Sequence, residues 1–187
     1  MSGNAGSQAT QENGNDDRSL SAPAQKKAPV TPGPYRCVSK PGTFVTLFSL
    51  VDVNEKRDSV IAGNAQETID SEVDTIGGYT FGVRCKLEKD GAGELSASFM
   101  LFLYGGQWDD YVDWPFAKKL TVILSHTEDQ DRDVRLPVCT DADCELVKKP
   151  APGCCNKGHW TKPVNWAAIE EAGFVVKGTL YVNVELE

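Results

Sequence analysis

Only two histidines, His126 and His159, occur in this chain of 187 residues, and neither stands in a pattern that makes a catalyst. No HExxH sets two imidazoles on one helix face, no serine occupies a nucleophile elbow, and no glycine-rich loop opens a helix to cradle phosphate. The expectation is a protein that is not an enzyme and needs no cofactor. Long apolar runs are missing too: nothing approaches 18 unbroken apolar residues, and the first residues lack the apolar centre of a signal peptide. A soluble, cytoplasmic setting is therefore expected.

Residues 1–36 hold Gly, Ser, Asn, Gln, Ala and Pro, with almost no large apolar side chain, no apolar heptad and no paired Cys or His. Such a segment cannot bury enough surface to offset its chain entropy, so a disordered tail over 1–36 is expected before one domain over 37–187. The chain's net charge of −8 rests on that domain, which carries −9 against +1 in the tail. In the tail, Arg18, Lys26, Lys27 and Arg36 outnumber Glu12, Asp16 and Asp17 by one. An acidic domain repels phosphate backbones and anionic lipid heads, which excludes nucleic acid and membrane insertion as expected partners.

Cysteine is present, but CxxC pairs are not. Cys139, Cys144, Cys154 and Cys155, with His159, offer enough soft ligands for tetrahedral zinc, although their spacing matches no common finger. A small zinc-binding protein is one reading. The other, favoured here with metal ligands expected to be none, is a set of reduced thiols on loops.

The domain itself reads as all-β. Phe44 to Val53 is rich in β-branched and aromatic residues and predicts a first strand. Asn54 to Thr75 reads as a polar, acidic loop with one short strand around Val60-Ile61. Tyr79 to Glu88 alternates, with Tyr79, Phe81, Val83, Cys85 and Leu87 on one face and Thr80, Gly82, Arg84, Lys86 and Glu88 on the other. Lys89 to Glu94 supplies a hairpin turn, and Leu95 to Tyr104 returns as its partner. The second face of that partner bears Met100, Phe102 and Tyr104, so it is either covered or lines a groove. Strands are also expected at Leu120–Leu124 and Leu180–Leu186, and one short helix at Val164–Glu171. Short strands without alternating helices predict an antiparallel β-sandwich of seven to eight strands.

Two constellations carry charge in notable places. Asp109, Asp110 and Asp113, around Trp108 and Tyr111, read as a solvated acidic loop. Arg84 stands mid-strand on the polar face, opposite the shelf of Met100, Phe102 and Tyr104. A guanidinium there can receive a carboxylate, carbonyl or ring from a peptide, or can be an ordinary exposed arginine paired with Glu88 or another acid.

The order of motifs along the chain adds a further expectation. Gly78-Tyr79 is followed by Arg84 and Leu87, then Asp90-Gly91-Ala92-Gly93, an apolar strand, Trp114-Pro115-Phe116, Lys119-Leu120-Thr121-Val122-Ile123-Leu124 and a closing strand. Over about Gly42 to Glu187 this order resembles the TRAF domain, the MATH-type sandwich of the TNF-receptor-associated factors. The resemblance implies an adaptor or decoy module that binds short linear peptides of receptor tails or signalling proteins. A substrate-recruiting MATH module for a ubiquitin ligase or deubiquitinase is the alternative. It implies a peptide site of Arg84, Lys86, Asp90, Met100, Phe102 and Trp160, with Arg84 meeting an acidic or aromatic peptide residue. Lys86 stands where many members have a tyrosine, so the groove is more basic. Assembly as a homotrimer, or with full-length TRAF adaptors, is also what the resemblance implies.

Deletion of Met1–Pro34 is expected to shift thermal unfolding by no more than about 2 °C, since a tail without apolar periodicity adds nothing to a core. Calorimetry checks this; a drop several times larger would mean that the tail docks on the domain.

Overall fold

Every second residue from Tyr79 to Leu87 is buried, while Thr80, Arg84, Lys86 and Glu88 between them are only partly covered. That two-residue period is the signature of a strand with one face on a core. The computed structural model describes Met1 and residues 33–38, 40–141 and 144–187. Its elements begin with β1 (Phe44–Leu50), α1 (Val53–Ala62), β2 (Gln66–Asp70), β3 (Asp74–Ile76), β4 (Tyr79–Lys89) and β5 (Leu95–Tyr104). There follow β6 (Leu120–Leu124), β7 (Val134–Val138), β8 (His159–Trp160), β9 (Val164–Asn165), α2 (Trp166–Glu171), β10 (Val175–Val176) and β11 (Thr179–Leu186).

Two antiparallel sheets make the sandwich. The first has the order β1-β11-β6-β7, with β10 added on β11; the second has β2-β4-β5-β8, with β3 on β4 and β9 on β5. Leu120, Val122 and Leu124 of β6 and Leu180, Val182, Val184 and Leu186 of β11 face the interior from one side. The inward row of β4 and Ala97, Phe99, Leu101 and Leu103 of β5 meet them from the other. The β4–β5 hairpin closes through a turn in which Asp90 N–H donates to Glu94 C=O at 2.9 Å and Gly93 takes φ +86°. Among the described residues eight strands have three residues or more, and α2 falls where the short helix is expected. Asn165 caps that helix by accepting from Ala168 N–H at 3.1 Å.

Asn54–Thr75 is not the expected loop. It holds α1, β2 and β3, and Val60-Ile61 lies in the helix rather than in a strand. Only Val53 and Val60, seven residues apart, are buried in α1, so its sequence shows no apolar stripe. Tertiary contacts hold it instead. Val53 N–H donates to Gly178 C=O at 3.1 Å, and Arg57 pairs with Glu170 of α2. At its far end the Glu67 carboxylate accepts from Ser59, Asn64 and Lys56.

The expected tail over 1–36 lies outside the described residues except for Met1 and Gly33–Arg36. Gly33, Pro34 and Arg36 bond to the domain. Gly33 N–H donates to Thr127 C=O at 3.0 Å, and Pro34 C=O accepts from the buried Asn183 amide at 2.7 Å. Arg36 grips Asp133 through two bonds of 2.6 Å and donates to His126 C=O at 2.8 Å. We propose that the domain includes Gly33–Arg36; a deletion ending at residue 32 keeps bonds that a deletion through Pro34 removes.

The acidic loop also differs from expectation. Asp109 is 8% exposed rather than solvated; its carboxylate accepts from Gly106 N–H at 3.0 Å and its carbonyl from Trp114 Nε1 at 2.9 Å. Asp110 is exposed and pairs with Lys149 at 2.7 Å. Behind this loop, Trp114, with a cis bond to Pro115, and Phe116 close one end of the sandwich. The Phe116 ring meets Tyr79 edge-on at 4.8 Å and Phe81 at 5.8 Å, and Trp114 meets Tyr79 at 5.3 Å.

Because Phe116 is 1% exposed, Phe116→Ala opens a cavity in that aromatic cluster. The expected cost is about 3–5 kcal/mol by urea unfolding, with a smaller loss for the partly exposed Trp114. Normal stability of both variants would place the pair on a binding surface instead.

Candidate functional site

The polar row of β4 and the second face of β5 lie side by side on the outer surface of the second sheet. Register pairs Thr80 with Tyr104, Gly82 with Phe102, Arg84 with Met100 and Lys86 with Ser98, and pairs Met100 in turn with Trp160 of β8. Phe102 is buried and Tyr104 packs edge-on against it at 5.1 Å. The two rings close over Gly82, where an added Cβ would lie 2.7 Å from Phe102 and 2.9 Å from Tyr104. Glycine is thus required by close approach.

Two cations stand over this shelf. The Arg84 guanidinium lies 5.5 Å from the Phe102 ring centre, and the Lys86 ammonium lies 5.1 Å from that of Trp160. Each is also paired with an acid of its own sheet. Arg84 donates to Asp70 of β2 through Nε at 2.5 Å and Nη2 at 2.7 Å, and Lys86 meets Glu88 at 2.7 Å. The bond to Asp70 is the main cause that raises the Arg84 pKa above its ordinary value. Tyr104 is raised as well, first by burial and then by the nearby Cys155 and Asp70.

Trp160 reaches this surface because residues 154–165 run along the far edge of β5. Gly105 N–H donates to Cys154 C=O at 2.9 Å, Asn156 N–H to Leu103 C=O at 3.0 Å, and Thr161 N–H to Phe99 C=O at 2.7 Å. Side chains complete the ladder: Asn156 Oδ1 accepts from Leu103 N–H at 2.9 Å and Thr161 Oγ1 from Phe99 N–H at 3.0 Å. Gly158 leaves room for Met100, since a Cβ there would sit 2.5 Å from Met100 Cγ.

Five of the six expected residues therefore share one surface: Arg84, Lys86, Met100, Phe102 and Trp160. Asp90 does not join them. It lies six residues beyond Arg84, roughly 20 Å along the strand. Its carboxylate accepts from Ala92 N–H at 2.8 Å and Glu94 N–H at 3.0 Å, which shapes the hairpin turn. Asp70 and Asn156 were not legible as neighbours. Asp70 lies on a strand that reads as loop, and Asn156 acts through backbone pairing that no side-chain pattern reveals.

Among the described residues no group of three or more His, Cys, Asp or Glu side chains could share a metal ion. Cys139 donates to Asp141 at 3.0 Å, while the backbone of Cys155 pairs with that of Tyr104 in an isolated antiparallel bridge. Among them, too, no helix is long and apolar enough to cross a membrane.

A sandwich that presents cations and rings on one sheet, with its strand edge capped by a short returning segment, has the build of a protein-interaction module. The family model for the TRAF/meprin MATH domain matches residues 73–183, more than half of the chain, and the chain belongs to this family, whose domains are interaction modules. Among solved structures, Notothenia coriiceps TRAF5 is similar, with a TM-score of 0.59 at 22% identity, over 76% of this chain and 72% of that one. That likeness concerns the fold. No curated protein sequence matches.

The Arg84–Asp70 pair is partly exposed, with side chains 37% and 49% accessible, so solvent screens it. Asp70→Asn is expected to change stability by less than about 1 kcal/mol in urea unfolding. A loss of several kcal/mol would make Arg84 a structural residue.

Proposed function

We propose that the chain binds short linear peptides of receptor tails or signalling adaptors, laid in extended form across the outer face of the second sheet. One observation carries this reading. Arg84 and Lys86 are two residues apart on β4, and each stands beside its own aromatic ring. That spacing, roughly 6.6 Å, matches the repeat of alternate side chains on an extended peptide. An acidic peptide side chain would take over the place of Asp70 or Glu88, and an apolar one would rest on Met100. Peptides rich in Asp or Glu should therefore be preferred.

The rest of the proposal follows from that role: a cytoplasmic protein without catalytic activity, working as an adaptor or decoy, in a homotrimer or with full-length TRAF adaptors. A substrate-recruiting module would use the same face, and the partner distinguishes the two. Recovery of a cullin or a deubiquitinase in a pull-down would favour recruitment; competition with full-length adaptors for receptor tails would favour the adaptor or decoy.

A peptide array on the purified protein supplies the ligand, and calorimetry measures it. Charge-assisted contacts contribute about 1.5–3 kcal/mol, so Arg84→Ala is expected to weaken the best peptide at least about tenfold while melting like the parent. Met100→Ala should weaken it as well. Equal affinity with equal stability would remove the peptide site from this face.

A further inference from the structure

The sandwich has three long sheet edges among its described residues, and they are not treated alike. β7, at one end of the first sheet, carries Arg135 and Pro137. The β2–β3 edge of the second sheet is interrupted at residues 71–73, and Glu67, Asp70 and Asp74 line it. Charge, proline and interruptions are the usual means by which a protein prevents unwanted strand pairing. β1 has none of them. Its seven residues, Phe-Val-Thr-Leu-Phe-Ser-Leu, contain no charge and no proline. β11 is its one strand partner among the described residues, and no backbone group of Phe44–Leu50 bonds to any other described segment.

Beside that edge lies a cleft of about 530 Å³, at the seam where the two sheets meet. Leu47, Ser49 and Val51 form one wall and Asp70, Glu72 and Asp74 the other; no Lys or Arg lines it. Asp70 is held by Arg84, and Asp74 accepts from the Thr46 hydroxyl at 2.6 Å. Glu72 is exposed and has no ion pair among the described residues. Val51 and Val73, 53% and 50% exposed, add apolar surface beside the carboxylates.

We propose that the free edge of β1 is a second docking site, which takes an extended Lys- or Arg-bearing segment of a partner protein by strand addition. Main-chain bonds to β1 supply the pairing, and the acidic wall selects the side chains that turn towards the seam. A second copy of this chain is disfavoured there. It would bring its own Asp70, Glu72 and Asp74 against the same wall, and the chain as a whole carries −8. This site lies at the sheet edge and meets Arg84's aromatic shelf only at Asp70, which pairs with Arg84; it does not depend on the peptide reading of that shelf.

The test uses synthetic seven-residue peptides, equal in length to β1, that alternate Lys with Val or Glu with Val. Each is titrated into the isotopically labelled full chain while amide shifts are followed. The Lys–Val peptide is expected to move amides of Phe44–Val51 and of residues 70–74, and the Glu–Val peptide to leave them unmoved. Glu72→Lys should weaken binding by roughly fivefold or more, as should raising the salt well above physiological strength. Ser49→Lys, an exposed change on the edge itself, should do the same, and melting curves check that both variants fold. Absence of binding, indifference to Glu72→Lys, or shifts confined to Arg84, Lys86, Met100 and Trp160 would overturn the proposal. So would a dimer in sedimentation that Ser49→Lys separates, since the edge would then belong to a second copy.

Discussion

Alternation along β4 is the constraint on which both sides of the second sheet depend. With Tyr79, Phe81, Val83, Cys85 and Leu87 all buried, the residues between them must face outward. Sliding the strand by one position would carry Arg84 and Lys86 into the core and expose five apolar side chains. Burial of an unpaired cation is so costly that no repacking around the shifted strand could offset it. The environment of the inward row is dry enough that the Cys85 thiol is pushed up to about 12. The core and the outer face are thus two consequences of one register.

Around that strand the structure uses backbone pairing where it can and polar side chains where it cannot. β5 borders two short strands, β8 and β9, instead of one long one, and Asn156 and Thr161 fill the gaps in the ladder. The result brings Trp160 beside Met100 without a long eighth strand. On the other sheet, Arg36, Asp133 and the backbone of His126 tie the residues before β1 to the turn after β6. His126 is held as well: its Nδ1 accepts from Glu128 and Asp129 N–H, and its Nε2 lies 3.0 Å from Ala172 C=O. Such closures let a small sandwich finish its edges with few residues. They also set β1 apart, since no described segment pairs with the backbone of its outer edge, although Asp74 of β3 bonds the Thr46 side chain.

The two candidate surfaces have opposite chemistry for a clear reason. On the outer face, β4 contributes cations and β5 rings, and the resident acids Asp70 and Glu88 hold those cations in place. At the seam, the strand that carries Asp70 turns into Glu72 and Asp74, with no base among the lining residues. Asp70 belongs to both, so the occupancy of Arg84 and the charge of the seam are electrostatically linked.

Much of this was determined by the sequence alone, wherever a pattern is local. The two-residue period fixed the faces of β4, β5, β6 and β11; Asp90 to Gly93 announced the hairpin; a short helix was legible at Val164–Glu171, beginning two residues before α2 does. The order of motifs from Tyr79 to the closing strand was enough to point to the family. Local pattern also placed Arg84, Lys86, Met100 and Phe102 on one face, because neighbouring strands in a hairpin share their register. What required the tertiary structure was each feature made by segments far apart in the chain. α1 has only two buried residues and is held by Gly178 and Glu170, so no stripe in its sequence reveals it. Asp70 meets Arg84 only through β2 pairing, Asp109 is buried only by the turn that folds over it, and the acidic seam exists only where two sheets meet. Periodicity reports which way a side chain points; only the assembled sandwich decides what stands there to meet it.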